Sequence, residues 1–135
     1  MLLFYKITIT VNLTNPLKIM KDYQYESVHD NCTYKIKAGE TAQENWDLID
    51  ASGQNYIWFH VEGHPSCHVV LIVNDANKKK DPHKSVINYC AALCKEGSKL
   101  KNGKNIKIIY TAIKNIKKAD KPGAVMTKNT KELKI

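Results

Sequence analysis

Between Tyr56 and Val73 two short apolar runs flank the turn Glu62-Gly63-His64-Pro65-Ser66, and this stretch constrains the fold more than any other. Tyr56 to Val61 alternates, with Ile57, Phe59 and Val61 toward one face and Tyr56, Trp58 and His60 toward the other. His68 to Val73 then returns. The pattern predicts an antiparallel hairpin in the middle of a sheet. Its longest apolar run, Val69 to Val73, is far short of the roughly 18 residues a membrane-spanning helix needs, so no membrane partner is expected.

The segments around the hairpin fill out an α+β chain. Leu3 to Val11 reads as a strand followed by a turn at Asn15-Pro16, and shorter strands are predicted at Leu17 to Met20 and Thr33 to Lys37. The polar stretch Tyr23 to Asp30 has no clear period and reads as a loop. Thr41-Ala42-Gln43-Glu44 has capping-box spacing and predicts a short helix to about Asp50, with Trp46 and Ile49 inward and Ser52-Gly53 ending it. A second helix follows from Asp81 as N-cap and Pro82 at the first helical position. Val86, Ile87, Cys90, Leu93 and Cys94 form its apolar stripe, and Gly97 stands where a left-handed C-cap is expected. Asn105 to Thr111 reads as a strand, with two more near Gly123 to Thr127 and Glu132 to Ile135. Adjacent strands joined by short turns imply a single α+β domain over residues 1–135, with a mostly antiparallel sheet and two main helices.

Charge divides the chain in two. Residues 1–77 carry five Lys against nine acids, a net of −4, whereas residues 78–135 carry sixteen Lys against four acids, a net of +12; no Arg occurs anywhere. The second half therefore supplies an electropositive surface and points to an anionic partner. Four basic groups recur there: Lys78-Lys79-Lys80; Lys99 with Lys101 and Lys104; Lys114, Lys117 and Lys118 continuing through Lys121; and Lys128 with Lys131. In Ile113-Lys114-Asn115-Ile116-Lys117-Lys118 the spacing predicts one helical turn, with its three lysines presented together and the two isoleucines anchored opposite.

Catalytic and metal readings are weaker. His60, His64, Cys67 and His68 lie within nine residues, which invites zinc. Gly63 and Pro65 break the helix such a pair would need, and Cys67 and His68, as strand neighbours, point to opposite faces. The same divergence argues against a Cys-His nucleophile. Gly97 to Lys104 has the wrong spacing for a phosphate-binding loop, and Asn105 stands where Ser or Thr should bind magnesium. Cys90 and Cys94 fit the apolar stripe. Met1-Leu2-Leu3-Phe4-Tyr5-Lys6 has neither a basic leader nor a cleavage site, so a cytoplasmic protein with reduced thiols is expected. Neither an enzyme nor a cofactor is predicted.

Five blocks share order and spacing with a known family: Ala38-Gly39-Glu40-Thr41-Ala42-Gln43-Glu44-Asn45; Trp58-Phe59-His60-Val61; Pro65-Ser66-Cys67-His68-Val69; Tyr110-Thr111; and Lys114 with Ile116-Lys117-Lys118 leading to Lys121-Pro122-Gly123. Over residues 33–135 they resemble the NFACT-R domain, the RNA-binding domain of the NFACT ribosome-quality-control proteins, which also occurs in small stand-alone proteins. The resemblance implies a non-enzymatic α+β module that binds RNA such as tRNA or ribosomal RNA beside the large ribosomal subunit. Departures are Glu40 where the family usually has Lys, Ser66-Cys67 in place of Gly-Ser, and Glu96-Gly97 where an Arg is often found. The tRNA-selecting domain and long coiled coil of full-length relatives have no counterpart in these residues, so tail elongation is not carried over.

The expected RNA contacts are therefore Lys114, Lys117, Lys118 and Lys121, then Lys99, Lys101 and Lys104. Trp58 and His60 are candidates to stack on or hydrogen-bond an exposed base, and His68 is a further candidate RNA contact; the alternatives are that Trp58 packs under a helix and that His60 and His68 are hydrogen-bonded within or beside the sheet. Lacking Arg, the surface should read backbone charge more than sequence. The competing expectation is an adaptor for an acidic or ribosomal protein.

Overall fold

A computed structural model describes residues 5–11, 19–74 and 81–135. In chain order its elements are β1 (Tyr5–Val11), β2 (Ile19–Ser27), β3 (Cys32–Gly39), α1 (Ala42–Asp50), β4 (Ile57–Val61), β5 (Val69–Leu71), α2 (Lys84–Glu96), β6 (Lys107–Ala112), a 3-10 turn (Ile113–Asn115), β7 (Ile116–Lys118), β8 (Val125–Thr127) and β9 (Lys131–Lys134). Seven strands form one sheet in the order β1-β2-β3-β5-β4-β6-β9, every neighbouring pair antiparallel, and β7 pairs with β8 apart from it. The expected α+β architecture is present. Leu3, Phe4, the Asn15-Pro16 turn, Leu17 and Lys78-Lys79-Lys80 lie outside the described residues.

The β4–β5 hairpin sits inside the sheet, with β3 on one flank and β6 on the other. Its pairing sets Ile57 opposite Leu71, Trp58 opposite Val70 and Phe59 opposite Val69. Strand neighbours alternate, so these residues feed two separate cores. Phe59, Val61, Val69 and Leu71 meet Val86, Cys90, Ala91 and Cys94 of α2. Trp58 and Val70 meet Leu48 and Ile49 of α1 together with Ile113 and Ile116. The sheet is thus covered on both faces, by α2 on one and by α1 with the β7–β8 hairpin on the other.

α1 begins as its sequence predicts. The Thr41 hydroxyl accepts from the Glu44 amide at 3.1 Å, while the Glu44 carboxylate accepts from the amides of Glu40 and Thr41 at 2.8 and 3.2 Å. α2 starts later than expected. His83, not Asp81, is its N-cap, its Nδ1 accepting from the Ser85 amide at 3.1 Å. Gly97 is the C-cap with φ −84°, so left-handed geometry is not what requires glycine. A Cβ there would collide with the Cys67 sulfur.

The loop expected at Tyr23 to Asp30 is instead mostly strand. β2 continues to Ser27, and a four-residue turn containing Asn31 at φ 53° leads into β3. Its inward residues, Tyr25 and Ser27, carry hydroxyls and its outward ones, Gln24 and Glu26, are polar. Hydropathy barely alternates along this segment even though burial does.

Candidate nucleic-acid interface

The basic connector departs from the predicted helical turn. Ile113 and Ile116 are buried anchors, as expected, but only Ile113–Asn115 is helical, and from Ile116 the chain is strand. The hairpin is closed by Lys121-Pro122-Gly123-Ala124, in which the Ala124 amide donates to the Lys121 carbonyl at 2.9 Å. Proline followed by Gly123 at φ 85° is the residue pair a type II turn demands. Gly123 packs against Ala42 at the start of α1, where a Cβ would come within 3.1 Å of the Ala42 Cα. The Trp46 indole N–H donates to the Ala124 carbonyl at 2.9 Å and ties the hairpin to α1.

This geometry sorts the lysines. Lys118 is held by Asp50 at 2.8 Å, with its ammonium 5.3 Å from the Trp46 ring centre, so it braces the hairpin against α1. Lys21 pairs with Glu40 at 2.9 Å, and Lys107 lies 3.5 Å from both Glu62 and Glu132. Lys114, Lys117 and Lys121 are exposed, as are Lys99, Lys101 and Lys104 in the loop after α2, and none has an ion-pair partner among the described residues. Lys128 joins Lys114 and Lys117 around a depression beside Met126, whose side chain is 60% exposed. The sequence groups Lys128 with Lys131, whereas β7–β8 pairing brings it beside Lys114 and Lys117.

The two basic segments meet at a cavity of about 630 Å³. Lys99 and Lys101 line it from the loop after α2, Pro122 and Gly123 from the hairpin turn, and His60, His68 and Asn45 from beneath. Trp58 and His68 are each only 1% exposed, which fits the structural alternative for both. Trp58 donates its indole N–H to His68 Nδ1 at 3.0 Å, which leaves the imidazole proton on Nε2. The His68 amide donates to Asn45 Oδ1 at 3.1 Å, and its carbonyl accepts from the Gly39 amide at 3.0 Å. Gly39 is constrained because a Cβ would strike Asn45 Oδ1. Burial, reinforced by the neighbouring His60, pushes the His68 pKa down to about 3. The residue is a neutral structural post.

His60 is partly exposed. Its ring stacks parallel to Trp58, with centroids 5.6 Å apart, and meets His68 edge-on at 5.0 Å. Burial lowers its pKa as well. Cys67 turns to the other face, as strand alternation predicts, where its thiol reaches the Leu93 carbonyl at 3.9 Å; the Cys94 thiol in turn donates to the Cys67 carbonyl at 3.5 Å. A side-chain hydrogen bond between the Cys94 and Cys67 thiols lowers the Cys67 pKa. Among the described residues, no group of three or more His, Cys, Asp or Glu is placed to hold a metal.

Gly39, Glu44, Asn45, His68 and Gly123 thus come from three separate blocks of sequence yet interlock around one end of α1. Residues 21–134 match the profile of the NFACT protein RNA binding domain. The chain belongs to the NFACT RNA-binding domain family. Its relatives include the coiled-coil domain-containing protein 25 of mouse, 36% identical over 100 residues that cover 71% of this chain and 47% of the relative. The zebrafish protein of that name is 36% identical over 108 residues, covering 76% and 51%. The chain spans about half the length of the curated relatives it matches. Among solved structures, the C-terminal part of the fibronectin/fibrinogen-binding protein from Streptococcus suis superposes with a TM-score of 0.69 at 25% identity, over 79% of this chain and 42% of that one. Membership in the NFACT RNA-binding family gives the chain a general RNA-binding role in a class of non-catalytic binding domains. Among the described residues no helix is long and apolar enough to cross a membrane.

Proposed function

We propose that the chain binds structured RNA, either tRNA or ribosomal RNA, mainly through its phosphates and in association with the large ribosomal subunit. The observation that carries the reading is the set of exposed lysines without ion-pair partners among the described residues: Lys99 and Lys101, which line the cavity, with Lys104 on the same loop, and Lys114, Lys117 and Lys128 around a second depression, with Lys121 in the hairpin turn whose Pro122 and Gly123 border the cavity. Ammonium groups without carboxylate partners can neutralise phosphates without first breaking a bridge. Lys118 contributes less because Asp50 already holds it.

If about six lysines neutralise phosphates, log K falls with log salt at a slope of about −4 to −5. The doubly reversed Lys114→Glu, Lys117→Glu variant is expected to lose RNA affinity by about tenfold or more, with its circular dichroism unchanged. Fluorescence titration with tRNA over a range of salt measures both quantities. A flat salt dependence overturns the reading. RNA binding retained by the variant while a protein partner is lost replaces it with the adaptor function.

A further inference from the structure

Phosphate binding by exposed lysines requires no cavity, yet the two basic segments border one of about 630 Å³, within the size range of sites that take small ligands. Its chemistry changes from mouth to floor. Lys99, Lys101 and Glu40 line it with exposed side chains, Glu40 already paired with Lys21, whereas His60 and His68 are more buried, and burial lowers the pKa of both. A phosphate pushed toward the histidines would leave its counter-charges behind. A neutral, flat group fits that floor better.

His60 supplies the surface such a group needs. One side of its ring rests parallel on Trp58, its edge is fixed by His68, and the side chain remains partly exposed where it borders the cavity. The Trp58–His68 hydrogen bond holds this platform in place. Aromatic rings so placed stack nucleobases with little regard to sequence, consistent with a chain that has no Arg for bidentate base reading. We infer that the cavity is a pocket for one unpaired nucleobase of RNA, stacked on His60, with its flanking phosphates at Lys99 and Lys101. The inference rests on the RNA-binding reading above and adds that the ligand presents an unstacked base, at a loop, bulge or strand end, since bases within a duplex are already stacked on their neighbours.

The test compares a ten-nucleotide single-stranded RNA carrying one 2-aminopurine with a blunt RNA duplex, both titrated fluorimetrically at the same salt. His60→Ala is expected to weaken the single strand by about fivefold or more and to leave the duplex unchanged. His60→Phe, which retains a stackable ring, is expected to restore binding, and Lys101→Ala is expected to weaken binding without removing the 2-aminopurine response. Equal loss for both RNAs, or for neither, overturns the pocket. Should His60→Ala fail to fold, the absence of a 2-aminopurine response on binding to the wild type overturns it on its own. If the wild type binds neither RNA, the broader RNA-binding reading is what fails.

Discussion

The two faces of the sheet are built on different principles. Beneath α2 the contacts are apolar: Phe59, Val61, Val69 and Leu71 against Val86, Cys90, Ala91 and Cys94. Beneath α1 the core is smaller and shares its space with polar groups, namely Trp58 bonded to His68, Asn45 bonded to the His68 amide, and the Glu44 carboxylate closing the helix cap. The first arrangement holds the sheet together. The second holds a hairpin, a histidine pair and a cavity in register, and the lysine-bearing turn leans on it through Gly123. Apolar packing and the polar framework of the proposed site thus lie on opposite sides of the same strands.

The sharpest way to break this division is Phe59→Ala, which empties space on the α2 side. It is expected to cost about 3–5 kcal/mol, read from the denaturant midpoint, while the molecules that remain folded keep their RNA affinity. A proportionate loss of affinity per folded molecule would mean that the faces are coupled.

Acid attacks the other side. His68 has a pKa near 3 when folded, against about 6.5 when unfolded, so between those values the unfolded chain binds more protons. The stabilisation is complete above pH 6.5 and is lost as pH falls toward 3, about 2 kcal/mol of it by pH 5. His60, also depressed, acts in the same direction. Melting temperatures measured from pH 7 to pH 5 check this, and His68→Gln should flatten the dependence.

Glu40→Gln probes the comparison most gently. This acid borders the cavity and pairs with Lys21. Removing its charge is expected to raise RNA affinity roughly twofold at low salt, with little change in stability, as filter binding would register.

Much of the fold was legible because local pattern and tertiary role agreed. The hairpin alternation, the Thr41–Glu44 capping box and the Val86–Cys90–Cys94 stripe each describe a residue's surroundings through its immediate neighbours. β2 was hidden because tyrosines and a serine form its buried side. In the connector, Ile113 and Ile116 are three residues apart, a spacing that suits a helical turn, whereas pairing with Val125–Thr127 decides for a strand from Ile116 onward. That contest cannot be seen from the connector alone. At the site, the lysine groups were visible as composition, but the bracing of Lys118 by Asp50 depends on a partner 68 positions away. The burial of Trp58 and the anchoring role of Asn45 likewise depend on where α1 comes to rest. One signal was within reach: a hairpin centred on His64 sets His60 across from His68, and with them the pair that now floors the cavity.

Among the described residues the sheet ends at β9, Lys131-Glu132-Leu133-Lys134, whose outer edge has no partner strand among them. If two molecules added to one another along that edge, the symmetric antiparallel alignment of all four residues would bring Lys131 against Lys134 twice. Like charges directly opposite one another disfavour such pairing. The lysine excess of the second half therefore also acts as a guard, keeping neighbouring copies from zipping together where the sheet runs out.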